Sequence, residues 1–355
     1  MRRILRRFSP LLPAVAALVC LLVCRLFPAV AERVFARGVF RALAALIGRL
    51  TQYVPFSLAE CLAVAALPLA VGVIVWAVRR RAWRRLLRVL AWVLSWALLL
   101  YMLMHGLQYH RRPLAEQMDM QTQASGSVER LAALTAFFAE QASAARLFCE
   151  EDEAGCMRLT APLTDTLKSG GAGYAVLEEQ YPFLRGTVIR TKGVKLSHWW
   201  SYTGITGMYF PFLAEANINV DAPDTALPVT ITHELAHTRG YAHEDECNFL
   251  GILAAVNHPD PAWQYAGWLE AYMYTADALF AADVEAFLST RALCSEGMLR
   301  DLACRATYWK AFDGGVQEMS NQVNDTFIRV NGDAEGVARY DQVTALLLSY
   351  YGESV

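Results

Sequence analysis

The first third of this 355-residue chain contains no lysine and only two carboxylates, Glu32 and Glu60. Residues 1–108 nevertheless hold 15 arginines, so that part is both basic and apolar. Residues 109–355 are short of cations instead, with 17 basic against 32 acidic side chains and a net charge of −15. The whole-chain value of −2 hides this division. A large part so poor in clustered Lys and Arg excludes nucleic acid as an expected partner, because phosphate contacts need such clusters. No internal repeat and no low-complexity linker is visible, which sets aside repeat arrays.

Cysteine is also sparse and divided. Cys20, Cys24 and Cys61 fall in apolar runs and read as small hydrophobes. Cys149 and Cys156 bracket a short acidic, glycine-containing loop and are the pair suited to a disulfide if that side is oxidising. Cys294 and Cys304 are unsuited to each other, since a helical segment between them holds them about 15 Å apart.

What the first third has in quantity is long apolar stretches. Pro10–Ala31 is interrupted only by Arg25, and Cys61–Val78 and Val89–Leu107 carry no Asp, Glu, Lys or Arg. Each is long enough to cross a hydrocarbon core of about 30 Å as a helix. The expected spans are residues 10–31, 58–78 and 87–107, and the lipid bilayer is an expected partner. Arg2, Arg3, Arg6 and Arg7 precede the first, and Arg79, Arg80, Arg81, Arg84, Arg85 and Arg88 lie between the second and third. The positive-inside rule puts both clusters in the cytoplasm. The Arg33, Arg37 and Arg41 spacing suggests an interfacial helix on the outer side. The third span then exits, leaving residues from about Gln108 on the extracytoplasmic side. Ala29-Val30-Ala31 resembles a signal-peptidase site, but Arg25 and Pro28 beside it argue against cleavage, which would leave the large part on the same side.

The remainder reads as a small sheet followed by helices, an α+β pattern. Helical spacing marks Ser127–Phe148 and Tyr174–Leu184. Thr187–Ile189 and Val194–Leu196 read as short strands around a Lys192-Gly193 turn, Thr203–Gly207 as a turn and Leu213–Val220 as a further strand. Pro228 suits the first turn of a helix that Gly240 ends. Helices are expected over about 243–256, 262–280, 283–293, 296–312, 318–330 and 336–351.

The chemistry-bearing segment is Thr232-His233-Glu234-Leu235-Ala236-His237, which contains His-Glu-x-x-His. Residues four apart share a helix face, so both imidazoles can reach one ion, expected to be zinc. Glu234 beside the first ligand can take a proton from water and return it to a leaving amine. The alternative is two histidines packed in a core. Three side chains compete as third ligand. His243 completes the His-x-x-Gly-x-x-His spacing with Gly240 in place. Glu244 opens the next helix with Asn248 on the same face, where Asn248 can hold a ligand imidazole. Glu246 points elsewhere and reads as a solvated or capping acid. Glu215-Ala-Asn-Ile-Asn219 reads either as an edge strand able to pair an extended substrate or as an ordinary amphipathic strand. Tyr202, Tyr265, Tyr272, Tyr274 and His258 are candidate transition-state stabilisers with no spacing argument among them.

The run from Tyr202 to Asn219, with His233–His237 and Glu244-Asp-Glu-Cys-Asn-Phe249, resembles an uncharacterised family of bacterial membrane proteins known only as a domain of unknown function. Val54-Pro-Phe-Ser57, Tyr109-His-Arg-Arg-Pro113, Asp301-Leu302 and Tyr308-Trp-Lys310 extend the resemblance over nearly the whole chain. It implies N-terminal spans and a zincin-like domain around His-Glu-x-x-His, and a variable residue at the position of His243. More distantly, the two histidines followed by Glu244 and Asn248 are similar to the gluzincin arrangement of membrane-embedded peptidases, with a shorter spacing than that group shows. This implies His233, His237 and Glu244 as zinc ligands and Glu234 as catalytic base.

The expectation is therefore a membrane anchor at 1–108 and an extracytoplasmic, zincin-like metalloprotein domain at 109–355. Its expected activity is that of a zinc metallopeptidase, with water on zinc activated by Glu234 hydrolysing a peptide or amide bond, and a peptide or protein is the expected substrate. The alternative is a non-catalytic membrane protein, an envelope scaffold or sensor, whose structural metal site is closed by a fourth protein ligand.

Overall fold

The computed structural model describes residues 9–120, 127–187, 189–331 and 340–352. The arginine cluster at positions 2, 3, 6 and 7 and the first part of the expected 336–351 helix lie outside them, as does position 188 within the expected strand at 187–189. Helices of eight residues or more are numbered in chain order. The first part comprises α1 (Leu12–Leu26), a π-helical stretch Ala31–Phe40, α2 (Arg41–Thr51), α3 (Leu58–Arg80) and α4 (Trp83–Met104). The second comprises α5 (Val128–Arg146), α6 (Gly171–Gln180), α7 (Leu227–His237), α8 (Glu244–Val256), α9 (Pro261–Ala282), α10 (Val284–Arg291), α11 (Glu296–Lys310), α12 (Gly315–Val330) and α13 (Tyr340–Tyr351).

Three helices, Ser9–Leu26, Leu58–Arg80 and Trp83–Met104, are long and apolar enough to cross a membrane, with mean hydropathies of 2.1, 2.5 and 2.0. Only 6% of the second is buried within the protein, so its apolar surface requires another apolar environment. α3 starts at the large domain: Ser57 Oγ accepts from the Glu60 amide, and Glu215 Oε2 accepts from the Ala59 amide at 3.0 Å. A short turn at Arg81 joins α3 to α4, and α4 returns to that domain. With a rise of about 1.5 Å per residue, the arginine-rich turn lies roughly 30 Å from the domain. The connection between α1 and α3 packs on the domain too. Its stripe Ala36, Phe40, Ala44, Gly48 and Thr51 is buried, and Lys192 Nζ donates to the Thr51 carbonyl at 3.0 Å.

In the second part, α8 is buried on nearly every side, from Cys247 through Ala255, which is the burial expected of a central helix. α7, α6, α9 and α13 pack around it, and α5 lies along α9. Phe138, Tyr174, Leu235, Phe249, Trp263, Leu269 and Leu347 fill the space between them.

A three-stranded sheet lies beside α7 in the order β3-β5-β4, where β3 is Lys192–Gly193, β4 is Gly207–Phe210 and β5 is Glu215–Ile218. β3 runs parallel to β5 and β4 antiparallel to it, with Lys192 opposite Asn217 and Gly207 opposite Ile218. Two expectations are corrected. Glu215–Asn219 is the central strand, and the edge beside α7 is β4. Lys192-Gly193 is a strand rather than a turn. The alternation of Glu215 and Asn217 looked half-solvated, but both are buried and partnered. Glu215 accepts from Lys192 and from the Ala59 amide, while Asn217 Nδ2 donates to the Met208 carbonyl.

A small hairpin, β1 (Glu150–Glu151) with β2 (Met157–Arg158), corrects the disulfide expectation. Cys156 pairs with Cys304 on α11, across 148 residues, and Cys149 is a free thiol. Asp152 Oδ1 accepts from the Ala154 and Cys156 amides, so the turn presents Cys156 to α11, while Cys149 Sγ stays against the Ala145 carbonyl. Next to this junction, the fully buried Asp301 accepts from Arg146 Nε at 2.6 Å, Tyr265 Oη at 2.5 Å and the Met157 amide at 2.6 Å.

Asp301→Ala removes the enclosed carboxylate that Arg146, Tyr265 and the Met157 amide share, leaving the guanidinium only Glu151 and the Gly155 carbonyl, and is expected to cost about 3–5 kcal/mol in denaturant unfolding of the detergent-solubilised protein. Maleimide labelling of the unreduced, denatured chain should find six free thiols, and Cys304→Ser should free Cys156 alone.

Candidate metal centre

α7 begins with Pro228 in its first turn and ends at His237, after which Gly240 takes φ 84° and turns the chain toward α8. A left-handed residue is needed to reverse the backbone so sharply, and glycine adopts that conformation without steric cost. Gly240 also lies where a Cβ would stand 2.9 Å from the Phe40 ring. The reversal lays the N-terminus of α8 beside the last turn of α7. Thr232 Oγ1 bonds the Gly251 carbonyl across the two helices at 2.8 Å.

That packing brings together His233, Glu234, His237 and Glu244. Ligand-capable atoms of the first three lie within 4.8 Å of one another. Glu244 reaches both imidazoles, with Oε2 3.2 Å from His233 Nε2 and Oε1 3.7 Å from His237 Nε2. His237 Nδ1 stands 2.9 Å from the Tyr241 carbonyl. A carbonyl only accepts, so Nδ1 carries the proton and Nε2 keeps its lone pair directed at the cluster. Cys247 Sγ lies 3.4 Å from the same Nδ1. Asn248, on the Glu244 face of α8, hydrogen-bonds His233.

The other proposed third ligands are engaged elsewhere. His243 Nε2 is 3.2 Å from the Tyr109 carbonyl and its ring packs edge-on against Tyr109. Glu246 Oε1 accepts from the Leu114 amide at 2.6 Å. Of the candidate stabilisers, Tyr265 is bonded to Asp301, His258 lies against Ser169 and Trp263, Tyr272 meets Cys294, and Tyr202 packs on Phe312. Thr344 reaches the carbonyl of Tyr274.

Two residues absent from that reading stand beside the cluster. Tyr209 of β4 stacks on His237 with ring centroids 6.0 Å apart, and its buried hydroxyl has no hydrogen-bond partner among the described residues. His105, directly after α4, lies 5.9 Å from the His237 ring. A polar residue at the end of an apolar stretch was the only signal for His105. Tyr209 becomes visible only once β4 is paired.

Burial and charge set the proton affinities. Burial opposes the charged form of His233, but the hydrogen bond and charge of Glu244 outweigh it and raise His233 to about 9. At His237 burial prevails and favours the neutral ring. Burial also works against the Glu244 carboxylate, yet His237 and His233 hold it down at about 2. Its side chain is 43% exposed, so water screens part of that attraction. Glu234 is pushed up to about 8, chiefly by burial, with His233 pulling down and Glu244 pushing up. Its Oε2 is buried and has no hydrogen-bond partner among the described residues.

The loop that orients His237 is itself held by the first part of the chain. Arg111 forms a two-pronged pair with Glu32, both bonds 2.9 Å, and its Nη1 donates to the Gly240 carbonyl at 2.6 Å. Its guanidinium lies over the Tyr241 ring, 4.3 Å from the centroid.

Fold and site together define a mostly helical protein with small sheets, apolar helices long enough to cross a membrane, and a His–Glu cluster able to hold a metal ion. Residues 35–348 match the family described as a protein of unknown function, DUF3810, and the chain belongs to that family. No curated protein and no solved structure matches it.

β4 passes so close to α7 that a Cβ on Gly207 would stand 2.6 Å from Glu234 Oε1 and 2.9 Å from Thr230 Cγ2. Gly207→Val is therefore expected to displace Glu234 or the strand and to lower unfolding free energy by about 1–3 kcal/mol, read by denaturant titration.

Proposed function

We propose that this chain is a membrane-anchored, zinc-dependent hydrolase of the zincin type, acting as a peptidase on a peptide or protein substrate. The observation that carries this reading is the buried Glu234 carboxylate, with an unpartnered oxygen, beside two imidazoles whose Nε2 atoms converge on Glu244.

The donor set fits zinc: two imidazole nitrogens and one carboxylate, with His233 giving up its proton to an incoming ion, the ring of His237 fixed from behind by Tyr241 and that of His233 hydrogen-bonded by Asn248. His233, His237 and Glu244 would hold the ion, in the order of ligands that gluzincins use. A zinc ion so held would supply Lewis acidity, polarising a substrate carbonyl and easing deprotonation of water. Glu234 is suited to take that proton and return it to the leaving amine, because burial raises its proton affinity toward neutrality. In this reading Glu234 stays out of the ligand set, which leaves the fourth position to water or substrate.

In this reading the large domain is extracytoplasmic. Arg79, Arg80, Arg81, Arg84, Arg85 and Arg88 gather at the turn between α3 and α4, far from the domain, where the positive-inside rule puts the cytoplasm. Trp76 and Trp83 flank that turn and Tyr53 and Phe56 precede α3 at its other end, in keeping with aromatic belts at two interfaces.

The test uses the full chain purified in detergent. Zinc analysis should give about one ion per chain, abolished in His237→Ala. Glu234→Gln should keep the ion while hydrolysis of a mixed quenched-fluorescent peptide library falls about 10²–10⁴-fold. Retained turnover in Glu234→Gln would overturn the mechanism, and an ion-loaded wild type without hydrolysis would favour the scaffold or sensor reading.

A further inference from the structure

α12 leaves most of its apolar side chains exposed, with Phe327 also touching Tyr101 and His105. Ile328 is its one buried residue, while Val316, Met319, Val323, Phe327 and Val330 are 51, 62, 65, 44 and 76% exposed. At 100° per residue these five fall on one stripe, turned away from Ile328. Glu318, Asn321, Gln322, Asp325 and Arg329 occupy the rest of the surface. A stripe of large apolar groups on an otherwise polar helix is one arrangement by which a helix lies in a bilayer interface.

The ends of α12 fix where the stripe lies. Asn331, just past its C-terminus, accepts from Tyr101 Oη at 2.5 Å, and Tyr101 belongs to the last turn of α4. Phe327 packs edge-on to Tyr101 at 6.4 Å and stacks on His105 at 6.1 Å. At the other end, Gln317 Nε2 lies 3.1 Å from where Gly204, in the turn before β4, would carry a Cβ. α12 thus bridges from the turn before the edge strand to the domain end of the third apolar helix. Its stripe is exposed, as are Leu90, Val93, Leu94, Trp96 and Leu98 of α4, the helix that its C-terminal end touches.

We propose that α12 is seated in the headgroup layer of the bilayer, with its stripe in lipid, beside the His–Glu cluster that it adjoins through Phe327 and His105. This rests on reading the three apolar helices as membrane spans and is independent of the metal. A substrate entering next to α12 is then one presented at the membrane surface.

The experiment places p-benzoylphenylalanine in the full-length protein at Met319, Val323, Glu318 or Asn321, and at Leu67 of α3 as the reference for a lipid-facing span. The protein is reconstituted in phosphatidylcholine–phosphatidylglycerol vesicles, irradiated, and read by intact-mass spectrometry. Lipid adducts at Met319 and Val323 should exceed those at Glu318 and Asn321 about tenfold. Adducts at Leu67 without adducts at Val323 overturn the proposal and leave the spans standing. Cross-links from Val323 to a second copy of the chain overturn it in favour of a dimer face. Adducts at neither Leu67 nor Val323 overturn it together with the spanning reading.

Discussion

The buried pairing of Arg111 with Glu32 is the constraint on which the arrangement depends. Removing two charges from water costs several kcal/mol each, and only close geometry with the remaining donors satisfied offsets that. Arg111 meets the condition by using both prongs on Glu32, a third donor on the Gly240 carbonyl and its flat face on Tyr241. Glu32 is further shared with Arg37, 2.6 Å away. Burial works against the Glu32 carboxylate, but the two guanidiniums lower its pKa all the same. Three distant stretches of chain are thereby fixed to one another: the π-helical stretch after α1, the segment after α4 and the loop between α7 and α8. Tyr241, clamped under Arg111, is the residue whose carbonyl fixes the His237 tautomer. The orientation of a candidate ligand thus traces back to an ion pair made by the first part of the chain.

A second buried pair repeats the device at the sheet. Lys192 and Glu215 are almost fully enclosed, and each also bonds backbone from the first part, Thr51 for the lysine and Ala59 for the glutamate. Both pairs act as fasteners between parts rather than as surface decoration. Each is intolerant of losing one partner, because the other would remain charged in a dry environment.

Long helices were legible in the sequence because their apolar spacing is local. The segments expected at 243–256, 262–280, 283–293 and 296–312 are found within a few residues of those bounds. Gly240 was legible as a stop for the same reason, as was the placement of two imidazoles on one face of α7. The sheet was not legible. Its strands are two to four residues long, and pairing with partners elsewhere in the chain, not their own pattern, decides which one lies at the edge. The Glu215 and Asn217 side chains misled because a buried, partnered polar group has the same letter as a solvated one. The disulfide escaped for a related reason: Cys304 is 148 residues from Cys156, and only the docking of α11 on the small hairpin makes them neighbours. His105 and Tyr209 reach the cluster from α4 and β4, so no spacing relative to His233 could announce them.

The position of His105 has an implication for how this chain can vary. It follows α4 directly and stands next to His237, while Tyr109, four residues on, meets His243. The apolar helices therefore do not merely tether a self-sufficient unit; the last of them delivers part of the wall around the candidate centre. A cut at residue 108 would not release an intact module, and grafting the remainder onto another anchor would leave that wall open. Sliding α4 along its axis would shift the ring beside His237 with it. The axial position of α4 and the geometry at the cluster are thus a single variable in this architecture.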